Sequence, residues 1–173
     1  MCIRDRLMAD PRLVTKITSI LADTGLAPNN LLVEIPETAH QVDTDQIAKL
    51  RAMGIRIGID DVGCQFSNLG RLVDIPADVA KIDRRWVPAK GDDRSSKLEL
   101  LSGLIEQCQM LNLKVVVEGI ETETQAGLVR GVGVERVQGF LFGRPVDPAT
   151  FEEQHLTRDK HCLLYTSDAA DDA

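Results

Sequence analysis

The sequence predicts an α/β fold in which helices cover a parallel sheet. Short apolar runs of strand length alternate with stretches of helical periodicity. The strand runs are almost continuously apolar, the pattern of strands covered on both faces. The helical stretches carry their own start and stop residues. The predicted order is α-β-α-β-β-α-β-α-β-α, with a loop and a short turn of helix between the second and third strands. A closed barrel and an open doubly wound sheet both satisfy this order.

The elements follow from local signals. Asp10-Pro11 reads as a helix N-cap with proline in the first turn, and Leu13, Val14, Ile17, Ile20 and Leu21 recur at helical spacing until Gly25 ends the pattern. Leu31 to Ile35 is a short apolar strand carrying Glu34. Thr44 to Met53 is helical and closed by Gly54, and Ile55 to Ile59 is the second strand. Val79 to Ile82 is the third strand and carries Lys81. Gly91-Asp92-Asp93-Arg94 reads as a solvated polar loop before a long amphipathic helix from Ser95 to Leu111. Val115-Val116-Val117 is the fourth strand and ends at Glu118. Thr122 and Gln125 have capping-box spacing for the next helix. Arg136-Val137-Gln138 is a short fifth strand, and Asp147-Pro148 starts a last helix.

The two ends stand apart. Met1 to Arg6 back-translates to a string whose reverse complement encodes Cys162 to Thr166, which unrelated protein ends do not share. Residues 1–6 and 161–173 therefore read as translated sequencing-adapter sequence, leaving one domain over 7–160 whose gene is cut on both sides. Of the 20 basic and 27 acidic residues, removing Arg4, Arg6, Asp5, Asp168, Asp171 and Asp172 leaves 18 and 23, a net charge of −5. An acidic chain with one tryptophan is a poor binder of duplex nucleic acid. Only Cys64 and Cys108 remain, so no disulfide framework is implied and a reducing cytoplasm fits. No apolar run reaches membrane-spanning length.

Every predicted strand carries a polar residue in it or just after it: Glu34, Asp60, Asp61, Lys81, Asp83, Glu118 and Gln138. In a parallel sheet all strands end on one side, so these groups gather where α/β enzymes keep their sites. Adjacent Asp60 and Asp61 need compensation, because two charges about 4 Å apart repel by roughly 4 kcal/mol at an effective dielectric of about 20. Carboxylates, a lysine and an amide without clustered His or Cys suit hard divalent cations. Residues 60 and 61 would point opposite ways along a continuing strand, and Gly63 is expected to turn the chain so that both reach the mouth. A pair of divalent ions about 3.5–4 Å apart clamps a phosphodiester in line and makes hydroxide at neutral pH. His40 and His155 read as surface residues, and no G-x-G-x-x-G or P-loop run follows a strand.

Five motifs in order then resemble one family. Glu34-Ile35-Pro36-Glu37 resembles E-x-T-E, and Asp60 to Leu69 resembles D-D-F-G-T-G-Y-S-S-L. Lys81-Ile82-Asp83 matches K-I-D, and Val117 to Glu121 resembles A-E-G-V-E. Gln138 to Phe142 with Arg144-Pro145 resembles a Q-G-Y-L-F-x-R-P close. The stretch from about Leu7 to Gln154 is similar to the EAL-domain family of cyclic di-GMP phosphodiesterases, bacterial signalling hydrolases on a TIM-type barrel.

The resemblance implies an incomplete TIM-type (β/α) barrel lacking its first strands, together with the name-giving Glu-Ala-Leu segment and a metal-binding Asn upstream of Leu7. It implies a two-metal Mg²⁺ or Mn²⁺ site with Glu34, Asp60 and Asp61 as ligands, and Lys81 and Glu118 as catalytic residues. Asp83, Glu121 and Gln138 would complete the outer ligands and substrate contacts, and Glu37 would brace the loop after Asp61. The substrate would be cyclic di-GMP, opened to linear pGpG, in a homodimeric parent with an upstream GGDEF or sensor domain and, through it, a membrane tether.

The loop departs from the family at Val62, Cys64, Gln65, Phe66 and Asn68, and Pro36 replaces Thr beside Glu37. These changes support an alternative, a degenerate domain that binds cyclic di-GMP or a protein partner without hydrolysis. A barrel short of strands exposes edges and its apolar lumen, so the stretch alone is expected to lack turnover and to aggregate. A third reading, a barrel enzyme for phosphorylated metabolites, needs a phosphate loop after a late strand. Gly131-Val132-Gly133 precedes a strand instead. Cys64 reads as a small packing residue in preference to a reactive thiol.

Overall fold

The computed structural model describes residues 10–39, 42–64, 69–89 and 91–156. The stretches 1–6 and 161–173, His40 and loop positions 65–68 lie outside the described residues.

Helix α1 (Leu13–Thr24) precedes strand β1 (Leu32–Pro36). Gly25 closes the helix in the left-handed region at φ 67°, its N–H donating to the Leu21 carbonyl. Helix α2 (Thr44–Ala52) starts at Asp43, whose carboxylate accepts from the N–H groups of Asp45 and Gln46. Strand β2 (Arg56–Val62) leads through helix α3 (Leu69–Asp74) to strand β3 (Val79–Ile82). A single 3₁₀ turn (Arg84–Trp86) and helix α4 (Arg94–Met110) follow, then strand β4 (Lys114–Val117). Helix α5 (Glu123–Gly131) begins with both halves of the Thr122–Gln125 capping box in place. The last helix, α6 (Pro148–Phe151), is one turn capped by Asp147 and runs into a wider turn over Glu152–Leu156.

The four strands are parallel, and their order in the sheet is their order in the chain. A doubly wound sheet reverses its order at a switch point. This one steps in a single direction, as a barrel wall does, and the barrel is incomplete among the described residues. Membrane-spanning length is not reached by any described helix.

Four expectations change. Helix α1 begins at Leu13 with Arg12 at its cap position and no side-chain cap, rather than at Asp10-Pro11. The fifth strand reduces to one parallel bridge between Val117 and Val137. After Gln138 the chain crosses the end of β4: Leu141 N–H donates to the Ile120 carbonyl, and a Cβ on Gly139 would meet the Ile120 backbone. Only glycine permits that crossing, which takes the chain off the ladder. The stretch Gly91 to Arg94 is more than a solvated loop. Asp93 caps α4 by accepting from Ser96 N–H, and Asp92 accepts from Ala89 N–H and pairs with Lys97 at 2.7 Å. Strand β2 also does not stop at Ile59 but continues through both aspartates to Val62.

Strand parity decides what each side chain meets. Ile35, Ile57, Ile59 and Ala80 pack into an apolar cluster with Ile47 and Leu50 of α2 and Cys108 of α4. Ile82 and Val117 pack into a second cluster with Leu101 and Ile105 of α4 and Val129 of α5. These residues form the helix-covered face. The opposite parity carries Glu34, Gly58, Asp60, Val79, Lys81 and Val116, with Glu118 next in line.

Candidate active site

Lys81 anchors the site. Its side chain is 8% exposed, and its ammonium lies 2.9 Å from Glu34 Oε1, 3.1 Å from Asp60 Oδ1 and 2.6 Å from Glu118 Oε1. One residue from each of the four strands or strand ends thus meets on the face away from the helices. Burial pulls the ammonium toward neutrality, but the bonds from Glu118, Glu34 and Asp60 together outweigh it and raise its pKa above the ordinary lysine value. Lys81 is therefore a fixed cation at neutral pH and cannot serve as a general base. Three carboxylates on one ammonium leave the group net negative.

Glu118 is shifted upward as well, which for a carboxyl favours the neutral form. Burial raises its pKa above the usual glutamate value, aided by Asp60 and Glu34 and only partly offset by Lys81. A carboxyl that keeps its proton to higher pH is suited to moving one.

Asp61 is brought in by a backbone device that the sequence reading missed. By strict alternation Asp61 shares the parity of Ile57 and Ile59 and would enter the apolar core. The ladder between β2 and β3 slips between Ile59 and Val62, and Asp61 takes φ 58°. The extra residue lets Val62, 1% exposed, occupy the core position in its place. One carboxylate oxygen each from Asp60, Asp61 and Glu118 then lies within 4.8 Å of the others. Gly63 (φ 86°) follows the device rather than making it. Aspartate is among the few side chains that visit the left-handed region, so a rule-abiding signal existed at this position.

The other candidates divide. Glu37, 8% exposed, accepts from Gly63 N–H at 3.0 Å and Cys64 N–H at 3.1 Å through Oε2. Asp83 has one oxygen within 4.8 Å of ligand atoms of Asp61 and Cys64. It accepts from the backbone N–H and Nε of Arg85, both at 2.9 Å. Burial would raise its pKa, but those bonds and the Cys64 thiol lower it overall. Glu121 and Gln138 are exposed, whereas the ion pairs of Lys81 are with Glu34, Asp60 and Glu118. Gln138 instead pairs through its backbone with Val117 and Ile120. The Cys64 thiol is pushed up to about 12 by burial and by the nearby Asp83, so it stays protonated and is no nucleophile at neutral pH. His155 is exposed, its ring 4.7 Å from that of Phe151.

The donors fit a hard divalent cation: Asp60, Asp61 and Glu118 supply oxygens only, close together, on a net negative rim. Glu34 adds a fourth oxygen donor across Lys81.

Comparison with known proteins agrees with this geometry. The family model of the EAL domain matches residues 2–145. The Cyclic di-GMP phosphodiesterase NbdA of Pseudomonas aeruginosa is 37% identical over 148 residues, which cover 82% of this chain and 18% of that protein. A solved PaMucR phosphodiesterase in complex with c-di-GMP superposes with a TM-score of 0.75 at 34% identity, covering 85% of this chain and 61% of that one. A manganese/cy-diGMP complex of Klebsiella pneumoniae BlrP1 superposes at 0.68 with 32% identity, over 80% of this chain and 36% of that one. The chain spans about a fifth of the length of curated relatives such as NbdA. With the four-stranded parallel wall, its acidic rim and the match over most of its length, the chain belongs to the EAL domain family.

Proposed function

We propose that this chain forms the metal-binding wall of a phosphodiesterase that hydrolyses cyclic di-GMP to linear pGpG. The convergence of Glu34, Asp60 and Glu118 on Lys81, with Asp61 swung to the same rim, carries the reading. Glu34, Asp60 and Asp61 would hold two Mg²⁺ or Mn²⁺ ions, with Glu118 beside the second. Bound there, such ions polarise the phosphodiester and supply a water of lowered pKa.

The chain's own groups then divide the work. Lys81 holds the three carboxylates in register and would position the attacking water or its phosphate target. In the reaction a water oxygen forms the new P–O bond, one ester P–O bond breaks, and the departing hydroxyl takes up a proton. Glu118, a carboxyl of the same cluster, would carry that proton. Glu37 holds the backbone after Asp61. Asp83, Glu121 and Gln138 would complete the outer ligands and the contacts to the dinucleotide. The parent protein is proposed to dimerise and to carry an upstream GGDEF or sensor domain; the relative MucR is named a bifunctional diguanylate cyclase/cyclic di-GMP phosphodiesterase.

The test is release of pGpG from cyclic di-GMP by the full-length parent with Mg²⁺ or Mn²⁺, beside an Asp60→Ala control. Turnover lost in the control is the expected result. Tight retention of the dinucleotide with no product would instead favour the non-hydrolysing binder, the reading that the altered residues Val62 and Cys64 support.

A further inference from the structure

The dipeptide Gly63-Cys64, which follows Asp61-Val62, is held at all four of its backbone polar atoms. Glu37 takes the two N–H groups from one side. From the other, Trp86 Nε1 donates to the Gly63 carbonyl at 3.2 Å and Arg85 Nη1 donates to the Cys64 carbonyl at 2.7 Å. Both side chains come from the 3₁₀ turn after β3; in the site described above Arg85 appears only as the donor to Asp83, and Trp86 not at all. Arg85 is itself fixed, because its Nε donates to Asp83 at 2.9 Å and its carbonyl accepts from Lys97 at 2.8 Å. The Trp86 ring is pressed so closely on the turn that a Cβ on Gly63 would clash with Nε1.

The turn needs such a grip. Asp61 sits at φ 58°, a conformation that costs an L residue, and relaxation to a regular strand would return its carboxylate to the core side. Glu37 holds the Gly63–Cys64 peptide from one side, and the Cys64 N–H also reaches the Asp61 carbonyl at 3.1 Å; the Cys64 carbonyl lies in the next peptide, which neither bond holds. We propose that Arg85 and Trp86 are positioning residues for Asp61: by holding the carbonyls of Gly63 and Cys64 they keep the left-handed turn that aims Asp61 at the cation rim, and so set divalent-cation affinity there. The cation half of this proposal rests on the two-metal reading above.

Trp86 is the sole tryptophan of the chain, so its emission reports on this turn directly. The experiment uses the full 173-residue chain with Arg85→Ala and Trp86→Phe, the second keeping the ring without the N–H. Two quantities are read: amide hydrogen exchange at Gly63 and Cys64, and Mn²⁺ binding by electron paramagnetic resonance. Faster exchange at both amides and Mn²⁺ affinity weaker by about tenfold in each variant are expected, in line with groups that orient metal ligands. In Arg85→Ala the Mn²⁺-dependent change in Trp86 emission moves to correspondingly higher concentration. Lower thermal stability with unchanged Mn²⁺ affinity would show a merely structural role and overturn the proposal. Absence of Mn²⁺ uptake by both the unaltered chain and the full-length parent overturns the two-metal reading. Exchange then decides the positioning of Asp61: faster exchange in both variants supports it, and unchanged exchange overturns it.

Discussion

Replacing Lys81 with methionine tests the electrostatic design of the site most directly. The substitution keeps the length of the side chain and removes its charge, leaving Glu34, Asp60 and Glu118 facing one another. The oxygens of Asp60 and Glu118 lie within 4.8 Å, so two ionised groups there repel by roughly 3–4 kcal/mol at an effective dielectric of about 20. Glu34 adds less, because its side chain is 39% exposed and water screens it. Glu118 can also relieve part of the strain by taking a proton, since burial already raises its pKa. The net cost is therefore about 3–4 kcal/mol, the usual range for a buried charge deprived of its partner. That lowers the urea midpoint by about 2 M for a slope near 2 kcal/mol per M.

The sign with pH follows from the raised pKa of Lys81. Its contribution is complete below the ordinary lysine value of about 10.4 and is lost as pH rises through the higher folded value, so measurement at pH 7.5 reads all of it. Divalent cations should restore the variant. A cation at a hundredfold its Kd stabilises by about 2.7 kcal/mol, and the variant should gain more than the parent because the competing ammonium is gone. The assay is urea unfolding with and without Mg²⁺. A loss under 1 kcal/mol, with equal Mg²⁺ response in both proteins, would refute the claim that Lys81 balances this cluster.

Glu118→Gln should remove a pH step. The folded state keeps a proton on Glu118 above the ordinary glutamate range, so stability falls, and cation uptake rises, as pH climbs through that window; Mn²⁺ titrations at a series of pH values should lose this dependence in the variant. Glu37→Gln replaces a charged acceptor of two N–H bonds by a neutral one, and should cost about 1.5–3 kcal/mol in unfolding experiments while weakening cation binding. Gly63→Ala forces a Cβ against Trp86 at φ 86°, and should destabilise by about 1–3 kcal/mol with a visible change in Trp86 emission. Ile57→Ala, at a position with no exposed surface, should cost about 2–5 kcal/mol and leave Trp86 emission unchanged.

Much of this molecule was legible before any coordinates. The apolar runs, the Thr122–Gln125 capping box and the glycine after Thr24 are local signals, and each formed where its chemistry placed it. So did the gathering of Glu34, Asp60, Lys81 and Glu118 at one sheet edge, because parallel strands must end together. The short fifth strand failed because Gly139 permits a close crossing that no propensity announces.

The sequence by itself determined which groups could meet, since residue type and strand-end position are one-dimensional facts. Whether they met was decided by the tertiary structure. Sequential strand order separated a barrel wall from a doubly wound sheet, a choice that helix and strand periodicity leaves open. The slip between Ile59 and Val62 rotated Asp61 out of the core and Val62 into it, because burying an aspartate among isoleucines costs far more than one left-handed residue. The hold of Arg85 and Trp86 on that turn came from a neighbouring strand's loop, and contacts of that kind exist only once the sheet has assembled.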